Sequence, residues 1–194
     1  MTETADSAAI SQLIAGDNPQ YKPLTIAAGQ AALERGAVLG LITESELKIV
    51  HGTVTSGPFQ AAETVTGGTS GATGVVVQVN SGSIEVKTVS GTFAAEETIT
   101  GGTSGASAAV TSTVVERYKA KELSPSAVNG LATPRAVLAE DADASSADVE
   151  AQVIILGKLR YADLGWPTGI TTAQKKAALL AMEDRGIPVD TDWA

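Results

Sequence analysis

Hydrophobic positions along this chain recur mostly in short alternating or continuous runs, the pattern of strands rather than helices. Leu24-Thr-Ile26 alternates, Gly29 punctuates, and Gly36-Ala-Val-Leu-Gly-Leu-Ile-Thr43 is a brief apolar run bounded by turn residues, as a buried strand requires. Upstream, residues 1–23 carry Glu3, Asp6 and Asp17 without sustained periodicity. This stretch predicts an arm ordered only when something holds it. Ile10, Leu13 and Ile14 would allow a helix over Ser7–Ala15, marginal in isolation at that length.

From about residue 47 to 115 the pattern changes. Thr53 to Val115 contains ten of the 20 glycines but only Lys87 as a basic residue. It also contains a repeat. Gly57-Pro-Phe-Gln-Ala-Ala-Glu-Thr-Val-Thr-Gly-Gly-Thr-Ser-Gly-Ala72 aligns with the segment from Gly91 to Ala106 at an offset of 34, with 12 of 16 positions identical. Each copy runs into a β-branched segment, Val75–Val79 or Val110–Val115, and Ser83–Val89 alternates between them. Two copies are too few for a solenoid. The pattern predicts a small all-β barrel or sandwich of two related halves, 57–79 and 91–113, with Phe59 and Phe93 as equivalent core anchors.

Beyond residue 116 the chain reads as α+β. Pro134–Ala139 and Val149–Leu156 are strands joined by the acidic turn Glu140–Asp148, a predicted hairpin. Thr171-Thr-Ala-Gln174 has capping-box spacing, Lys175–Arg185 is rich in helix formers, and Gly186 and Pro188 supply the stop. On a helical wheel the apolar residues form two groups, Ala178/Leu179/Met182 and Ala173/Ala177/Leu180. That predicts one face against its own sheet and another against a neighbouring subunit.

Composition narrows the function classes. The 194 residues carry 13 Lys+Arg and 22 Asp+Glu, a net charge of −9. An acidic chain lacks the clustered basic surface that nucleic acid binding needs. No run is long and apolar enough to span a membrane, and Met1-Thr-Glu-Thr-Ala5 does not read as a secretory signal. With no Cys there is no disulfide or thiolate site, and with His51 as the one histidine little acid–base or zinc chemistry remains. An enzyme is disfavoured, and no cofactor or metal is expected.

Individual motifs support the same reading. Gly67-Gly-Thr-Ser-Gly-Ala-Thr-Gly74 has the glycines of a phosphate loop but no following Lys, and strand formers come next. Its duplication at Gly101 marks a repeated turn. His51 lies among strand residues with no Ser or Asp spaced for a triad. Asp141, Asp143 and Asp148 lack the glycine and glutamate positions of a calcium loop, which leaves a solvated hairpin tip. Glu63 and Glu97 are repeat-related, yet nothing in the sequence places them across a cleft as a glycosidase would require. Tyr161 and Trp166-Pro167 are core or interface groups by default.

The flanks of the chain resemble the lambda-type head decoration proteins of tailed phages. The resemblance rests on Pro23-Leu-Thr-Ile-Ala-Ala-Gly29 with Arg35–Thr43, on Pro134–Ala144, on Gly157–Asp163, on Trp166-Pro167, and on the closing helix ending at Arg185-Gly-Ile-Pro188. It implies a mainly β fold, an α+β decoration domain with a C-terminal helix. That domain is expected to be discontinuous (24–46 and 116–194), interrupted by an inserted β domain at 47–115 and preceded by a capsid-binding arm at 1–23.

The resemblance further implies a homotrimeric, non-enzymatic cement protein, made in the host bacterial cytoplasm and bound to the outside of the expanded head at local three-fold sites. There it would bind the major capsid protein and resist internal DNA pressure. The arm residues expected to bind the capsid are Gln20, Tyr21, Lys22, Pro23, Leu24 and Thr25, which could add a strand to an exposed capsid edge. The candidate trimer contacts are Trp166, Pro167, Leu179, Leu180 and Met182. The β repeats would project outward or bridge adjacent trimers. The competing reading is a surface-exposed binding module or adhesin recognising host glycans through residues 47–115.

Overall fold

The computed structural model describes residues 13–15 and 18–190. In chain order the strands open with β1 (Gln20–Ile26) and β2 (Val38–Leu41). Six follow in the repeat region: β3 (Leu47–His51), β4 (Thr64–Gly67), β5 (Thr73–Asn80), β6 (Ser83–Ser90), β7 (Thr98–Gly101) and β8 (Ser107–Val115). The remainder holds β9 (Ala120–Glu122), β10 (Pro134–Leu138), β11 (Val149–Leu156), β12 (Leu159–Arg160), helix α1 (Thr172–Glu183) and β13 (Val189–Asp190). The fold is therefore mainly β with one C-terminal helix, and its two larger sheets are closed barrels. The chain divides into two compact units, one of Met1–Leu41, Tyr118–Ala127 and Leu131–Ala194, the other of Ile42–Arg117 and Val128–Gly130.

The first unit is a five-stranded barrel in the order β1-β11-β10-β2-β9. Strand alternation sends Leu39, Leu138 and Val153 to one face of the wall and Val38, Val137 and Ile154 to the other, all fully buried. The first set joins Ile26, Ala120, Ala136 and Ala151 in one cluster; the second packs with Ala178 and Met182 of α1 and with Ile187. Burial on both faces explains why these strands read as continuous apolar runs.

Its hairpin is anchored by the acidic turn. Asp141 Oδ1 accepts from the Arg35 amide at 2.7 Å, Asp148 Oδ1 from the Ala28 amide at 2.9 Å, and Glu140 Oε1 from the Gln152 amide at 2.7 Å. The Lys119 ammonium lies 2.6 Å from Asp148. These carboxylates cap backbone donors, and among the described residues no group of three or more metal-binding side chains is assembled. Thr171 caps α1 reciprocally with Gln174, the capping box its sequence spells.

The second unit is a six-stranded barrel ordered β3-β6-β5-β4-β7-β8. Thr66 of β4 pairs with Thr100 of β7, its own repeat counterpart, so a pseudo-two-fold axis passes between them. Hydrogen bonds come in matched pairs around it: Gly68 N to Thr98 O and Gly102 N to Thr64 O, both 2.8 Å. Phe59 and Phe93, each 4% exposed, occupy equivalent places in one core with Val65, Ile99, Val76 and Val110.

The halves also exchange caps. Glu97 accepts from the amides of Thr69 (3.2 Å) and Ser70 (2.9 Å) and the Ser70 hydroxyl (2.8 Å) in the opposite half, while binding the Ala94 amide of its own (2.6 Å). Glu63 does the same to Thr103, Ser104 and Gln60 at 3.2, 2.9 and 2.7 Å, again with the serine hydroxyl. Both side chains are buried. Burial pushes each carboxyl up, but these donors together outweigh it and hold both below the usual carboxylate value.

Candidate functional site

The arm candidates are part of a strand. Gln20–Thr25 lie in β1, paired antiparallel with β11 from Gln20↔Leu156 to Ile26↔Val149. The earlier part of the arm, and most of the helix expected over Ser7–Ala15, lie outside the described residues. Gln152 turns its backbone toward β10, its carbonyl accepting from Ala139 N at 2.9 Å. Pro23, the partner of Gln152, therefore sits in a non-hydrogen-bonded pair with its ring nitrogen facing the other edge of β1. Among the described residues that edge meets β9 only at Ile26↔Ala120. Gln20, Tyr21, Lys22 and Pro23 are exposed, and Leu24 and Thr25 half-buried.

The self-contact candidates separate by depth. Met182, 1% exposed, belongs to the protomer's own core and has no surface left for a neighbouring copy. Leu179 packs half-buried against the same cluster. Leu180, at 56% exposure, is the large apolar group that α1 turns outward. The two faces read from the helical wheel are thus an inner one, Ala178/Leu179/Met182, and an outer one, Ala173/Ala177/Leu180, with both alanines exposed.

Trp166 and Pro167 border a concave surface on the first unit. One cavity of about 500 Å³ includes Pro167, Gln30 and Ile170; a neighbouring one of about 420 Å³ includes Trp166, Arg35 and Asp163. Glu122 lines both, and burial pushes its carboxyl up. The Trp166 ring lies 6.3 Å from Tyr161 and carries the Lys175 ammonium 5.7 Å from its centroid. Its indole Nε1 and the Arg35 guanidinium Nη1 are buried and lack a partner among the described residues. Arg35 was visible in the sequence only as the residue before an apolar strand. Nothing there marked it as a neighbour of Trp166, because pairing Gly36 with Gly165 across 129 residues is a tertiary event: Gly165 N donates to Gly36 O at 2.9 Å.

The remaining motif residues have structural employment. The Gly67 and Gly101 segments are the turns capped by Glu97 and Glu63, and neither carboxylate is left free for acid–base work. His51 ends β3, buried against Phe59 at 5.4 Å between ring centroids.

The first unit is thus a small mainly β barrel closed by a capped C-terminal helix, joined in sequence to a second, repeat-built barrel. The chain belongs to the family described as Bacteriophage lambda head decoration protein D, whose model matches residues 2–187 and so runs through both units. No curated protein and no solved structure matches it. It is thus a phage head decoration protein, associated with the virion capsid.

Proposed function

We propose that this chain acts as a trimeric cement, seated on the outer surface of the expanded head at local three-fold positions, where it ties major capsid subunits together against the pressure of packaged DNA. The observation that carries self-association is the outward face of α1, where Leu180 stands 56% exposed beside exposed Ala173 and Ala177. Covering that leucine against a neighbouring copy is worth about 1.5–3 kcal/mol. For the capsid contact, the open edge of β1 at Tyr21–Thr25, continued by the residues before it, offers a register for an extended capsid strand. Three such edges on one trimer bind far more tightly than one. An acidic protein also suits the outside of the shell better than its DNA-filled interior.

Sedimentation and capsid retention test this together. The purified chain should have the mass of three copies and be retained on expanded heads. Leu180→Asp should give single copies, while deleting residues 1–12 should keep three copies and weaken retention at least tenfold. A single-copy mass for the unaltered chain, or full retention after the deletion, overturns the corresponding half of the proposal.

A further inference from the structure

The second unit leaves part of one strand with an open edge. On one side β8 pairs with β3 through Val50↔Ser112, Ile49↔Thr113, Lys48↔Val114 and Leu47↔Val115. On its other side the β7 ladder stops at Thr98↔Ala109, and the last bonds there join Glu96 N to Val110 O and Val110 N to Glu97 O, at 2.7 and 2.8 Å. Among the described residues no strand pairs with that side of Thr111–Val115. All five residues are exposed, Val114 at 38% and Val115 at 64%.

Alternation fixes which backbone groups the open side presents. Glu116 N donates to Glu46 O at 3.3 Å, so Glu116 faces β3, and Val114 and Ser112, two and four residues earlier, face it too. The N–H and C=O groups of Thr113 and Val115 therefore point away from β3. Edges left in the open usually carry a lysine, a proline or a bulge that blocks pairing with another chain. Here the bulge comes early, where the ladder steps from His51↔Val110 to Val50↔Ser112, and Thr111–Val115 has neither charge nor proline. The repeat counterpart in β5, Val77–Asn80, differs in chemistry: Gln78 Nε2 donates to Asn80 Oδ1 at 2.8 Å, and Asn80 Nδ2 donates to Glu85 Oε1 at 3.4 Å.

From this geometry we infer that Thr111–Val115 is a docking edge for the same edge of a second copy of the chain, paired antiparallel about Thr113. That register sets Thr113 against its own counterpart, Ser112 against Val114 and Thr111 against Val115, so the edge is complementary to itself about a two-fold axis. Every pair joins hydroxyl or β-branched side chains, which suit neighbouring strands. A chain of net charge −9 repels its own copies, and this uncharged stretch lets two of them meet without setting like charges opposite each other. The seam is short, so it forms where copies are crowded. Side by side on one capsid they meet at effective concentrations on the order of millimolar. The proposed three-fold contact through α1 plays no part in this pairing.

Because the chain has no cysteine, a single introduced thiol reports one contact. In the register above the two Thr113 Cα atoms lie about 5.5 Å apart, within the roughly 4.4–6.8 Å that a disulfide spans. The full chain carrying Thr113→Cys, oxidised at about 1 mM to match crowding on a particle, should form disulfide-linked pairs at least tenfold faster than one carrying Lys87→Cys, an exposed position on β6. Denaturing electrophoresis reads both. Adding Val115→Lys, which puts a charge on the edge, should slow the linkage at least tenfold. Adding Leu180→Asp should leave it unchanged. A rate less than tenfold above the Lys87→Cys control, a folded Val115→Lys variant slowed less than tenfold, or linkage abolished by Leu180→Asp overturns the inference.

Discussion

The two barrels solve the problem of closing a sheet in opposite ways. The repeat barrel is closed by like meeting like: β4 lies against its counterpart β7, and each half lends the other a glutamate. The first barrel has no internal copy. Its wall is assembled from segments far apart in the chain, such as β1 with β11. It is held by close backbone approaches, by α1 and by aspartates at the hairpin. Symmetry duplicates every weak point of one barrel, whereas the other concentrates its dependence on a few crossings.

The sharpest way to break the comparison is at such a crossing. Gly36 has φ +92, and an added Cβ would collide with the Asp163 carbonyl oxygen. Gly36→Ala should destabilise the first unit by roughly 3–5 kcal/mol, combining left-handed strain with a backbone clash. In calorimetry only the transition of that unit should move. A shift in both would mean the units unfold as one.

The next effect tests the equivalence of the halves. Glu63→Ala leaves two amides and the Ser104 hydroxyl of the opposite half without their acceptor, a loss of about 3 kcal/mol. Glu97→Ala should cost the same within about 0.5 kcal/mol, since its bonds are the mirror set. Unequal losses, read from denaturant midpoints, would show that the halves are alike in shape but not in energetics.

The smallest effect distinguishes the acidic groups of the two units. Glu63 and Glu97 are held below their ordinary value of 4.5. The stability they lend is therefore complete above that pH and is lost as pH falls through it toward the lower folded-state values. Asp148 is also held down, by its Lys119 partner first and the Ala28 amide second, so its contribution has the same sign. Its side chain is 39% exposed, however, and added salt screens an exposed pair far more than buried caps. Acid titrations at low and high salt should overlay for the second unit and separate for the first. A salt-sensitive second unit would show that water reaches its caps.

Much of this was legible in the chain. The repeat announced two related halves and paired Phe59 with Phe93, because identical short motifs demand identical surroundings. The capping box at Thr171 and the hairpin through Glu140–Asp148 are local in sequence and were readable for that reason. What stayed hidden was tertiary. Glu63 and Glu97 look idle until the halves face each other. Gln20–Pro23 reads as the end of an arm because its residues show no period, and only the ladder with β11 joins it to Leu24–Ile26 as one strand. The inner and outer faces of α1 could be listed from the wheel, but burial alone shows that Met182 belongs inside and Leu180 outside.

The ladder that opens the repeat barrel also ends it: Leu47 lies opposite Val115, and Glu116 donates back to Glu46. The polypeptide thus departs from nearly the spot where it arrived, about one inter-strand spacing away. Ends that close let a segment be spliced into a loop without prying its flanks apart; here Val128–Gly130 returns to the same unit, so a transplant would have to carry that short stretch as well.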